Sequence, residues 1–398
     1  MNQYKALTPL LLVLVPYMGG ADHYNVVVAV MSLAIIILWG FDFKLYRPAA
    51  LAAILTTVSI FTSATWSIFL GKEINLFSFT DLVFVCLWLS ITCYLCKGNH
   101  NSRFPEKFII IMTILGVSNI VVSILVRYSL IDLSYYYGET GAYDMAYTSI
   151  RSVGVIGQPG KMALFSAVSI LGLGFAYSIV SGRVYQIAAL LTAYIFLLCS
   201  LLSLSRTGLM LSALAIFSFG RKIAVSTLFI TTIIFYMSID EATLLLLLRV
   251  TESSEFDVSS LEYRNILRAY ALSYVIETPG SLLLGYGPSK ESADILPLPM
   301  SGHSLRYPDS SITLVLFRYG LLGVVALAVT IYASFTQLGA KVKQLYSFNG
   351  ALLVGITIVA ANLDPLWHDP KIVIIYVYTL FIFSINANGR QHHNLLQK

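Results

Sequence analysis

The sequence predicts an all-α polytopic integral membrane protein: a bundle of about twelve transmembrane helices with one large extracytoplasmic loop carrying amphipathic helices. Three observations predict it. Hydrophobic residues make up 57% of the 398 and charged residues only 11%, against roughly 25% charge in a soluble domain, so the chain lacks the side chains to wet its own surface. The mean hydropathy is +0.79. The apolar residues also gather into segments of helical length separated by short basic or long polar intervals, the pattern of a chain that crosses a membrane repeatedly.

Taken in order, the apolar segments run at about 6–20, 24–41, 48–68, 76–96, 107–126, 162–181, 184–204, 207–219, 223–238, 310–335, 349–363 and 371–387. Residues 1–20 contain Pro16 and end in a glycine pair, which reads as a first span rather than a cleavable leader. The basic residues Lys5, Lys44, Arg47, Lys97, Arg103, Lys107, Arg183, Arg221, Lys222, Lys341, Lys343, Arg390 and Lys398 fall in alternate connections and at the two termini. Short basic loops mark the cytoplasmic side, so both termini are expected there. The organisation that follows is N-terminal helices over 1–126, a first outer loop over 127–161 and central helices over 162–238. A large outer loop over 239–309 and C-terminal helices with a tail over 310–398 complete it.

The cysteines Cys86, Cys93, Cys96 and Cys199 lie in or beside apolar runs. Cys93 and Cys96 have no second pair with which to hold zinc, and all four read as small buried apolar residues. The first outer loop carries Tyr135-Tyr136-Tyr137, which suits either stacking on sugar rings or an interfacial aromatic belt. The glycines near Gln158 do not make a phosphate loop, because GxxxxGK[ST] is absent. They bend the chain as it returns to the membrane before Met162.

The second outer loop is the longest polar interval in the chain, and it carries Arg249, Arg264 and Arg268. From Ser259 the pattern turns helical, with Ser260 as its expected cap and Leu261, Leu267, Tyr270, Ala271, Tyr274 and Val275 on an apolar face. Such a helix is expected to lie along the outer membrane face. Arg264 and Arg268 are four residues apart and share one side of it. Pro279-Gly280 is expected to end the helix, and Gly285-Tyr286-Gly287-Pro288 to form a tight turn.

Arg206 stands between two apolar segments on the same outer side. An arginine there either snorkels to headgroups or serves a function that repays its cost. With Arg264 and Arg268 it makes a set of forks that match phosphate oxygens and stay charged at any working pH. A pyrophosphate leaving group needs such donors as its negative charge develops. No DxD or histidine cluster suggests a metal, and neither a cofactor nor a nucleic-acid partner is expected. Asp309, after Pro308 and before Ser310, is a candidate general base if partial burial raises its pKa. His303 is the second candidate. An aspartate or serine before an apolar run is equally a helix cap.

The residues Ser203-Leu204-Ser205-Arg206-Thr207-Gly208 resemble the SxSRxG element of bacterial O-antigen ligase and O-antigen polymerase membrane proteins. Tyr263-Arg264 with the amphipathic run behind it, then Pro279 and Gly285-Tyr286-Gly287-Pro288, is similar to their long-loop pattern. Asp309-Ser310, then nine residues, then Gly320-Leu321-Leu322-Gly323, resembles the ligase pattern in which a histidine holds the first place. Here Asp309 stands where the ligase histidine would, and His303 is out of register. That departure favours the polymerase over the ligase that moves glycan to lipid A core.

The resemblance covers about Ser203–Val324 and implies a GT-C-like fold and inverting, metal-independent glycosyl transfer at the periplasmic face of the inner membrane. Donor and acceptor would be undecaprenyl-pyrophosphate-linked glycans in membrane lipid, and a chain-length regulator would be a partner. Arg206 and Arg264 match the family arginines that bind pyrophosphate, and Asp309 takes the base position. Arg249, Tyr263, Arg268, His303 and Ser310 are further substrate-binding candidates. A different class, a lipid-linked glycan flippase, predicts charge along a midplane path. Asp81 and Arg318 are the main residues that such a path would use.

Overall fold

The computed structural model describes residues 3–14, 47–72, 80–97, 103–127, 154–156, 159–203, 205–238, 260–287, 296–297, 304–305, 310–338, 342–363 and 369–396, with a few single positions between. The helices in order are α1 (Gln3–Leu11), α2 (Arg47–Phe69), α3 (Thr80–Lys97), α4 (Phe104–Arg127), α5 (Pro159–Tyr177), α6 (Arg183–Leu202) and α7 (Arg206–Ile216). They continue as α8 (Arg221–Ser238), α9 (Ser260–Glu277), α10 (Pro279–Leu284), α11 (Ser311–Gln337), α12 (Phe348–Leu363) and α13 (Pro370–Leu396). Two residues each of β1 (Leu296–Pro297) and β2 (Ser304–Leu305) pair antiparallel.

Among the described residues five helices, α2, α4, α5, α6 and α11, are long and apolar enough to cross a membrane, and α3, α7, α12 and α13 contain shorter apolar helices. The chain is a helical membrane protein. Each apolar segment from 48–68 onward falls on a helix, whereas the segment at 24–41 lies almost wholly outside the described residues. One boundary differs from expectation, while at another α9 ends at Glu277, before Pro279 as expected. Helix α13 continues past 387 to Leu396. Pro279 opens the short helix α10, with Thr278 accepting a hydrogen bond from Ser281 N as its cap. Proline at a first helical position loses no hydrogen bond, because that N–H has no partner within the helix.

The burial pattern explains the arrangement. Helices α5 and α13 are covered on all sides along most of their length, as expected of helices that are apolar all round. Phe165, Phe175, Tyr378 and Phe383 are among the side chains at this centre. Around it, outer helices turn apolar stripes outward. On α4 the exposed residues Ile110, Ile114, Val117, Val121 and Ile124 recur every three or four positions, a face made for lipid rather than water.

Side-chain contacts fix the direction of each helix. Lys161 pairs with Asp369 just before α13 and Phe175 packs on Phe383, while Gly208 abuts Ala163 and Gly174 abuts Ser218 just past α7, so α5 runs parallel to α13 and to α7. The start of α12 meets the ends of α5 and α7 around one cavity, so α12 runs opposite to them. Trp88 Nε1 donates to Ser334 Oγ and Arg318 pairs with Asp81, which makes α3 parallel to α11. The starts of α3, α5, α7, α11 and α13 therefore share one end of the bundle. Arg47, Lys97, Lys107, Arg183 and Arg221 lie at helix termini of the other.

Candidate functional site

The turn from α6 into α7 shows what most of the Ser203–Gly208 stretch is for. Ser203 Oγ donates to Ser200 O at 2.6 Å and accepts from Ser205 N at 3.3 Å. Ser205 is the N-cap of α7, its side chain accepting from Gly208 N at 3.3 Å. Gly208 lies against Ala163 of α5 with no room for a Cβ. Capping and close packing thus account for both serines and the glycine, and they set Arg206 as the first residue of α7. Gly208→Leu is expected to push α7 from α5 and cost about 1–3 kcal/mol through overpacking, measured as thermal unfolding in detergent.

Because Gly208 meets Ala163, the start of α7 lies beside the start of α5, where Lys161 is in the first turn. Lys161 Nζ is 3.4 Å from Asp369 Oδ2. Asp369 precedes α13, and its Oδ1 accepts from Lys371 N at 2.9 Å and Ile372 N at 3.4 Å. Lys371 is 0% exposed and its Nζ donates to Val155 O at 2.6 Å. Val155 N in turn donates to Asn119 Oδ1 at 3.0 Å, which ties the return of the first outer loop into α4. Three adjacent parallel helices therefore each begin with a basic residue in the first turn. Cations at helix N-termini oppose the macrodipole, and here Asp369 answers that charge, pairing with Lys161 and accepting from the first N–H groups of α13.

Lys371→Met keeps the chain length and removes the donor to Val155 O. It is expected to destabilise the protein by about 1–3 kcal/mol, the cost of leaving a buried carbonyl without its donor. Thermal unfolding against wild type measures it.

A second layer lies over the start of α11. Ser310, 1% exposed, is the N-cap of α11. Its hydroxyl accepts from Thr313 N at 3.4 Å and donates to Ala361 O at 3.5 Å. Arg268 of α9 donates from Nη2 to Asn362 O at the end of α12, where helix carbonyls lack partners and favour a cation. Helix α9 packs Ala271 and Val275 into a cluster with Phe317 of α11 and Tyr286. The apolar face expected of this loop helix is thus partly occupied by α11.

The Gly285–Gly287 turn seats on a break in α11. Gly320 has φ +62, and the carbonyls just before it accept from the turn: Phe317 O from Tyr286 N and Arg318 O from Gly287 N, both at 2.8 Å. Gly285, also at positive φ, lies against the Arg318 backbone with no space for a side chain. Tyr286 Oη donates to Tyr274 O at 2.8 Å, and Lys72 Nζ lies 4.6 Å from the centre of its ring. Burial above all raises the Tyr286 phenol pKa. From the other side, Ser63 Oγ donates to Arg318 O at 2.5 Å. Arg318 Nη1 reaches Asp81 Oδ2 at 2.8 Å and Tyr319 Oη donates to the same oxygen at 2.6 Å.

Of the residues expected from the sequence, Arg206 opens α7, and Tyr263, Arg264 and Arg268 lie on α9, with Arg264 one turn before Arg268. The side chains of Arg206, Tyr263 and Arg264 lie outside the described set, as do Arg249, His303 and Asp309 altogether. The helix cap expected from an aspartate or a serine before the 310–335 segment is Ser310. Lys161, Asp369, Lys371 and Asn119 are absent from the sequence reading. Asp369-Pro370 before an apolar run is a helix start signal, and it would have drawn attention to Lys371. Among the described residues no group of three His, Cys, Asp or Glu side chains is placed to hold a metal.

Comparison with known protein families and with characterised proteins returns no match. The functional reading therefore rests on the chain's own residues.

Proposed function

We propose that this protein is a polymerase that joins undecaprenyl-pyrophosphate-linked oligosaccharide repeat units into O-antigen or a related surface polysaccharide. The observation that carries the reading is the gathering of basic residues at one end of the bundle. Lys161, Arg206 and Lys371 open three adjacent helices there, and Arg268 is anchored at the end of a fourth. The reading takes the end with short basic connections as cytoplasmic and this one as periplasmic, with both termini cytoplasmic and about twelve spans in a GT-C-like bundle.

In the reaction, the hydroxyl oxygen of an incoming lipid-linked repeat unit attacks the anomeric carbon of the growing chain. Its proton passes to the Asp309 carboxylate as general base. The bond from that carbon to the pyrophosphate oxygen breaks, and configuration inverts. Arg206 and Arg264 take the charge that develops on the departing pyrophosphate. Arg268 orients the loop helix that carries Arg264, while Arg249, Tyr263 and His303 border the glycan and Ser310, buried as the cap of α11, supports the helix start beside Asp309. Asp81 and Arg318 pair with each other at the first turn of α3, which speaks against their use as separate steps on a transport path.

The test is polymer formation by the purified protein from lipid-linked repeat units in detergent containing EDTA. A ladder of glycan lengths is expected. Absence of the ladder, with the same units carried across a reconstituted bilayer, would leave a transporter instead.

A further inference from the structure

The end of the bundle opposite Arg206 and Arg268 holds a cavity of about 600 Å³, within the ~300–1,000 Å³ range of small-molecule sites. Its walls come from three connections: Ser178 after α5, Phe217 and Ser218 after α7, and the openings of α8 and α12 with Arg221, Phe348 and Asn349. Two helices begin at this wall, so their first-turn N–H groups, which have no partners within the helix, add to the positive charge of Arg221. Lys222 is next in the chain, and among the described residues no carboxylate lines the space.

The cavity continues into an apolar face. Arg221, Val225 and Phe229 follow at four-residue steps on α8 and so share one side of it; the latter two are 55% and 66% exposed. Phe348 and Tyr346, exposed aromatics at the start of α12 and just before it, flank the opening, in the manner of residues at a headgroup boundary. An arginine that only snorkels to the interface needs no cavity beneath it. A soluble anion would satisfy the cation but leave the apolar strip unused. A molecule with a phosphate head and hydrocarbon tails uses both.

We propose that this cavity binds the headgroup of an anionic phospholipid, with Arg221 on the phosphodiester and the acyl chains lying along Val225 and Phe229 of α8. Basic pockets between membrane helices on a cytoplasmic face recognise lipid heads through these same groups. The site is separate from the arginine array and independent of the polymerase reading.

The experiment is native mass spectrometry of the delipidated protein titrated with phosphatidylglycerol, with phosphatidylcholine, and with inorganic phosphate as the soluble control. Wild type is expected to retain phosphatidylglycerol over phosphatidylcholine by about ten-fold, because both carry the phosphodiester but the choline ammonium cancels its charge beside Arg221 and Lys222. Arg221→Gln removes that preference. Asn349→Leu weakens it while leaving every charge in place, which separates a shaped cavity from general surface charge. Arg183→Gln, at an exposed cation outside the cavity, leaves it unchanged. Equal retention by wild type and Arg221→Gln overturns the proposal. So does inorganic phosphate that displaces the lipid at equal concentration, since the occupant is then a soluble anion. Thermal unfolding of each variant without added lipid confirms that it is folded.

Discussion

Arg206→Ala abolishes the glycan ladder, lowering turnover by about 10²–10³-fold, the effect of removing one donor to developing charge. The same variant stays folded, and its unfolding free energy changes little or rises by about 0.3–1 kcal/mol, because a cation at a helix N-terminus opposes the macrodipole. The opposite signs are the point of the experiment. Ser203, Ser205 and Gly208 supply the caps and the close approach that build the turn into α7, so losing the arginine leaves that architecture intact. Arg264→Ala is expected to behave likewise in activity. Arg206→Lys restores charge without the fork and is expected to recover only part of the rate. A ladder of normal length and yield from Arg206→Ala would remove the arginine from the mechanism and, with it, the main support for pyrophosphate as the leaving group.

Asp81→Asn carries the largest expected effect on stability. The carboxylate accepts from Arg318 and from Tyr319 while largely buried, and removing one member of such a buried pair costs about 3–5 kcal/mol. The consequence reaches further than the pair. Arg318 and Phe317 present their carbonyls to the Gly285–Gly287 turn, and Tyr286 of that turn holds α9 through Tyr274. Loosening α11 at Gly320 is therefore expected to free the helix that carries Arg264 and Arg268, so activity falls along with stability. Thermal unfolding in detergent measures the first effect. Protease cleavage near the turn, faster in the variant than in wild type, measures the second. The double variant Asp81→Leu with Arg318→Met removes both charges and is expected to recover most of the stability; if it does not, the pair is not the source of the loss.

Much of this fold is legible in the chain because lipid imposes a simple code. A helix in hydrocarbon must satisfy its backbone internally and present apolar side chains outward, so composition alone identifies the class, and apolar runs coincide with the helices from α2 onward. The loop helix from Ser260 is visible for a related reason, since its three- and four-residue apolar spacing holds whether the surface it meets is lipid or protein. What that surface is cannot be inferred from spacing. Ala271 and Val275 meet Phe317 and Tyr286, and only the docking of the Gly285–Gly287 turn on a broken helix brings them there.

The charged residues divide in the same way. Arg206, Arg264 and Arg268 are conspicuous in sequence because a cation is costly in an apolar setting, so each demands a reason. Lys161, Asp369, Lys371 and Asn119 are neither clustered nor periodic, and 208 residues separate Lys161 from Asp369. Their association depends on α5, α7 and α13 running parallel, with small residues such as Gly208 and Ala163 letting the helices approach closely. The sequence by itself determined the membrane class, the helices and the arginines that ask for an anion. The tertiary structure alone decided which helix ends share a face and which buried charges meet there. Burial energy selects those pairings among distant segments, and no local pattern records them.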